Sequence, residues 1–162
     1  MSQALTWFNV FKFFHILTAI VGFGWLLLVK IQFRRAGEDI GPEGAATYGS
    51  AYKVTGIANI FVYLTGVFGV ATAIAQKGAF KQPWLSASMA IYVVALVVSL
   101  AGLQPAERKL ARLYAKVREG GGAEATAEIT ATNKRVAALS GVFDLLFVVM
   151  LVLMVFKWPS IT

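Results

Sequence analysis

Four long apolar runs, over residues 7–29, 55–76, 84–103 and 136–156, leave little of this chain for anything else. Each approaches or passes the ~20 residues that an α-helix needs to cross ~30 Å of hydrocarbon. Hydrophobic residues make up 58% of the 162, and charged residues only 14%, well under the quarter usual in soluble domains. Mean hydropathy is +0.70. The expected fold is all-α: a polytopic membrane protein, an antiparallel bundle of four transmembrane helices with short cytoplasmic helical loops. Residues 1–162 are expected to form a single membrane domain, without a soluble catalytic domain among them. The first run is too long for a signal-peptide core, and Lys30, Arg34 and Arg35 follow it instead of a cleavage site. It is expected to stay as a helix.

The chain has no cysteine, which excludes disulfides, iron–sulfur clusters, thiolate zinc sites and a cysteine nucleophile. Its net charge of +7 does not point to nucleic acid, because the charges flank the apolar runs. There, basic residues set topology and meet anionic headgroups. The link between the first two runs carries Lys30, Arg34, Arg35 and Lys53. The link between the last two carries Arg108, Lys109, Arg112, Lys116, Arg118, Lys134 and Arg135, making eleven on one side. Lys12, Lys77, Lys81 and Lys157 make four on the other. The positive-inside bias then puts both long loops in the cytoplasm and both termini outside, in the inner (plasma) membrane. Trp7, Trp84 and Trp158 all fall near the outer boundary, as an aromatic belt requires.

The second long loop has its own helical signal over 105–118. Pro105 and Glu107 suit a start and Gly120-Gly121-Gly122 a stop, with Leu110, Leu113, Tyr114 and Val117 at helical spacing between them. Two readings stand: a basic amphipathic helix on the membrane or under a partner, or a solvated extension of the third helix kinked at Pro105. In the first loop, Pro42 fits a first helical position.

Polar residues inside apolar helices are costly and face a bundle interior or a cavity. His15, the only histidine, shares a face with Phe11, Thr18, Ala19 and Gly22. Thr55, Gly56, Asn59, Tyr63 and Gly66 line one stripe of the second helix, and Ser88, Tyr92 and Ser99 one of the third. Asp144 lies beside Ser140 and Gly141, with Ala137 below. Depth along the helices pairs His15 with Tyr92, and Asp144 with Tyr63 or Asn59. Neutral imidazole suits haem iron or chlorophyll-type magnesium, so His15 is the candidate cofactor ligand, with Thr18, Gly22 and Tyr92 nearby. Gly22 would let a flat ring lie close. The preferred reading is a structural hydrogen bond from His15 to Tyr92, Thr18 or a backbone carbonyl. No nucleophile–base pair, phosphate loop or metal-ligand cluster is present in the sequence.

Phe13-Phe14-His15-Ile16-Leu17, followed by Gly22 and Gly24, resembles the opening of a group of small bacterial membrane proteins. The group holds the copper-resistance D membrane domain, the HemJ-type protoporphyrinogen oxidases, and an uncharacterised family of four-helix integral membrane proteins. The ending Leu153-Met154-Val155-Phe156-Lys157, with a proline shortly after and Asp144 one run earlier, is most similar to the uncharacterised family. The resemblance implies a four-helix bundle and, from the HemJ-type relatives, a haem-linked histidine at His15. Those enzymes also use an intramembrane lysine, which the second and third runs lack. Copper-binding relatives would carry more histidine or methionine ligands.

These readings lead to a small non-catalytic integral membrane protein, an accessory or structural subunit of a larger respiratory or photosynthetic membrane complex. Its expected partners are the bilayer and other membrane subunits. The alternatives are a haem- or tetrapyrrole-binding protein using His15, and a small proton-linked transporter using Asp144.

Overall fold

A computed structural model describes residues 3–76 and 79–157, with side chains described for 6–76, 79–121 and 125–157. Lys77 and Trp158, counted in the charge and tryptophan patterns, lie outside the described residues. The chain forms helices α1 (Gln3–Glu38), α2 (Pro42–Ala75), α3 (Pro83–Val97), α4 (Gln104–Arg118) and α5 (Gly122–Phe156). A short 3₁₀ turn (Ala79–Lys81) precedes α3, and a π-helical segment (Val98–Leu103) joins α3 to α4. Proline at the first turn starts both α2 and α3, where its missing N–H costs nothing. The α4–α5 turn closes with Gly120 at φ 95°, its N–H on Val117 O and that of Gly121 on Lys116 O. That double bond is the Schellman arrangement, and the left-handed residue in it favours glycine.

Four rods are long and apolar enough to cross a membrane, over Thr6–Glu38, Pro42–Ala75, Pro83–Arg118 and Ala125–Phe156. The protein is a four-helix membrane bundle. The rods run 32 to 36 residues, about 50 Å at ~1.5 Å per residue, against ~30 Å of hydrocarbon. All four therefore project well beyond the bilayer at the end where α1 meets α2 and α4 meets α5.

Two main packing layers follow from this length, beside a small cluster of Ala73, Ala79 and Leu85 at the α2–α3 turn. Within the apolar runs, Phe23, Leu26, Ala58, Val62, Ala95, Phe143 and Met150 are buried together, with Phe23 stacked on Phe147 at 3.7 Å. In the projecting end a second core gathers Ala36, Tyr48, Leu110, Tyr114 and Ile129. There the Tyr48 ring lies between Phe33 and Tyr114, with centroids 4.6 and 4.7 Å away. Tyr114 donates to Ala36 O at 2.9 Å, and Tyr48 to Glu107 O at 3.2 Å.

This second core decides between the two readings of 105–118. The segment continues the third helix, and its stripe of Leu110, Leu113, Tyr114 and Val117 is buried against α1, α2 and α5 instead of lying on lipid or a partner. The π-helical stretch explains how the rod passes Pro105. A proline removes one N–H and presses on the carbonyl four residues back. Here the Gln104 N–H reaches back five residues to Ser99 O, and the wider turn makes room.

Around the bundle, α1 packs along α2, α2 on α4, the α3–α4 rod on α5, and α5 on α1. The pairs α1/α3 and α2/α5 are thus diagonal.

Candidate functional site

Interhelical polar contacts lie at several places within the apolar layer. The first is a salt bridge from Lys30 Nζ on α1 to Asp144 Oδ1 on α5. Side chains on a helix tilt toward its N-terminus. Lys30 is at the lower end of its run, so its ammonium reaches back into the membrane layer. Asp144 lies nine residues, about 13 Å, beyond Arg135 on an antiparallel helix and tilts down to meet it. The pair sits at the flank of the bundle, with Lys30 25% and Asp144 41% exposed. On the same flank Ala137 and Gly141 are exposed, and nothing lies within 4 Å of where a Gly141 Cβ would be.

The expected bond from Asp144 to Tyr63 or Asn59 is not made. The depths match, but α2 and α5 are diagonal, and α1 comes between them. Tyr63 Oη instead accepts from Gln104 Nε2 at 2.6 Å, and Gln104 also donates to Ser99 Oγ at 3.3 Å. Asn59 is half-buried on α2 and bonds to neither. Lys30 was missed because the apolar run stops at Val29, which makes it read as a loop residue. The readable signal was its place just past the run, with a stem long enough to turn back.

The second contact centres on α2. His15 Nδ1 lies 2.8 Å from Thr65 O, and Tyr92 donates to Val62 O at 2.8 Å. The depth match of His15 and Tyr92 thus reflects a shared neighbour, not a bond between them, because α1 and α3 are diagonal. A helix carbonyl accepts from the N–H four residues on, and the side chain there shields it. For Val62 and Thr65 those residues are Gly66 and Gly69. A Cβ on Gly66 would stand 2.5 Å from Tyr92 Oη, and one on Gly69 3.0 Å from His15 Cε1. Two glycines three residues apart therefore open two carbonyls, one to each side of α2.

A carbonyl only accepts, so Nδ1 of His15 carries the proton and neutral His15 keeps its lone pair on Nε2. Thr18 is buried beside it, donating to Phe14 O at 2.7 Å and accepting from Thr65 Oγ1 at 3.2 Å. The space over Gly22 does not admit a flat ring. A Cβ there would meet Val62 N at 2.9 Å, so the α2 backbone already fills it.

Between the rods, Phe23, Val62, Tyr92, Phe143, Leu146 and Phe147 enclose a wholly apolar cavity of about 10 Å³. Such a space is at the lower limit for one water and lacks the polar partners a water needs. Among the described residues, no three His, Cys, Asp or Glu side chains come together to hold a metal ion.

Residues 9–158 match the model of a family described as "Predicted integral membrane protein (DUF2269)", and the chain belongs to that family. No curated protein and no solved structure matches the chain.

Proposed function

We propose that this member of the DUF2269 family is a non-catalytic accessory subunit of a larger complex in the inner membrane. The observation that carries this reading is the half-exposed Lys30–Asp144 pair at the bundle's flank. Charged groups at membrane depth face a protein interior or a cavity, because leaving them against lipid costs several kcal/mol. Here the flank is open, and beside it run Ala137 and Gly141, spaced as a small-xxx-small seam that lets a second helix approach closely. A transmembrane helix of another subunit, docked along α5, would cover both. The apolar, filled interior of the bundle fits a scaffold better than a conduit.

The same reading sets both termini outside and the projecting end in the cytoplasm, supported by the eleven-to-four split of basic residues. Thr6→Cys and Gly121→Cys, labelled with an impermeant thiol reagent in intact cells, test this. Labelling at position 121 and not at 6 reverses it.

A photo-crosslinking amino acid at Val148, on the flank, and another at Val67, an exposed position on α2, test the partner. A cross-link from position 148 alone to a different membrane protein supports the proposal. Adducts with lipid only, or with a second copy only, overturn it.

A second reading, tetrapyrrole binding, rests on His15. Its Nδ1–H on a backbone carbonyl leaves Nε2 as the ligating nitrogen, the arrangement metal-bound histidines use. A visible absorption band in protein purified from its native membrane, absent from His15→Gln, would establish it. A spectrum without such a band removes it.

A further inference from the structure

We propose that a belt of cations at the foot of the apolar layer binds the phosphates of anionic phospholipids. Every rod contributes: Arg35 from α1, Lys53 from α2, Arg108 from α4, and Lys134 with Arg135 from α5. All five are exposed, and none is in an ion pair among the described residues. Each lies within six residues of the end of its apolar run, about 10 Å or less along the helix axis. That is the depth of the headgroup layer plus the reach of a long side chain.

The charges along the projecting end are sorted by height. Glu38 and Glu128 are taken up by Arg34 and Lys109, and Glu107 is buried. Among the described residues, the exposed acids Asp39, Glu43 and Glu119 lie at the far turns. Lys53, Arg108, Lys134 and Arg135 are therefore left uncompensated where lipid phosphates run, while Arg35 shares a polar pocket with Asp39 and Glu43 and the distal tip carries mixed charge. Guanidinium groups suit this role because they grip a phosphate with two parallel N–H bonds. The source is the membrane's own anionic lipid and not a soluble phosphate, because the belt surrounds the rods at one level and forms no enclosed pocket. Nothing in this depends on the partner proposed above, nor on which side the projecting end faces.

The test compares two variants of equal charge. Arg108→Gln/Arg135→Gln removes two belt cations, and Lys116→Gln/Arg118→Gln removes two that lie about 20 Å beyond the apolar run, more than two Debye lengths at ~0.15 M salt. Each protein is reconstituted in vesicles of equal phosphatidylglycerol and phosphatidylcholine and extracted in mild detergent. The retained lipids are then counted by native mass spectrometry. The wild type should retain phosphatidylglycerol preferentially. The belt variant should lose that preference by roughly fivefold per cation removed, the equivalent of the ~1 kcal/mol a basic residue contributes near an anionic surface. The distal variant should keep it, and Arg108→Lys/Arg135→Lys should keep most of it, showing that loss in the Gln variant is not misfolding. Equal loss in the belt and distal Gln variants, or no loss in either, overturns the proposal.

Discussion

The Lys30–Asp144 pair makes an asymmetric prediction. Removing either partner leaves the other unpaired at membrane depth, where a lone charge costs ~2.5–3.5 kcal/mol by insertion measurements. The two orphans differ in what they can do next. Lys30 lies four residues, about 6 Å, above Arg34, and its stem can swing down to put the ammonium among the headgroups. Asp144 has a short side chain about 13 Å above Arg135 and cannot reach water. Asp144→Leu should therefore cost only about 1 kcal/mol. Lys30→Met should cost about 3 kcal/mol. The double variant, with apolar residues in place of both charges, should recover to within about 1 kcal/mol of wild type, since replacing a whole pair is often neutral. Thermal unfolding in lipid nanodiscs reads this directly: at ~2–4 °C per kcal/mol for a chain of this length, Lys30→Met should fall by roughly 6–12 °C. An Asp144→Leu variant less stable than Lys30→Met would refute the reasoning. So would a double variant whose loss is the sum of the two single losses.

Three further outcomes follow from the packing. Gly69→Ala should displace the His15 ring, whose Cε1 would stand 3.0 Å from the new Cβ. It should break the bond to Thr65 O at a cost of about 1–2 kcal/mol, read as a lower melting temperature and a shifted His15 ring signal by NMR. Tyr114→Phe removes the 2.9 Å bond to Ala36 O while keeping the stack on Tyr48, and should lower stability by about 1 kcal/mol in the same melts. Gly120→Ala, at φ 95°, should cost about 1 kcal/mol and loosen the α4–α5 turn, seen as faster amide exchange at Gly121.

The sequence by itself determined the number of membrane-crossing helices and their antiparallel order, because a bilayer accepts few backbone solutions and demands a long apolar run for each helix. It also carried the depth of each polar residue, since a helix advances by a constant rise. His15 and Tyr92 do lie at one level. Two things were not written there. One was the length and packing of the rods: 105–118 carried its own helical signal, but the polar stretches of all four rods pack as one because Tyr48, Leu110, Tyr114 and Ile129 from different rods meet in a core that no single segment reveals. The other was which helices are neighbours. Only the packing puts α2 between His15 and Tyr92 and sets α1, not α2, against Asp144. The physical reason is that rise along an axis is a property of one helix, whereas the partner across a gap depends on how all four helices close around each other.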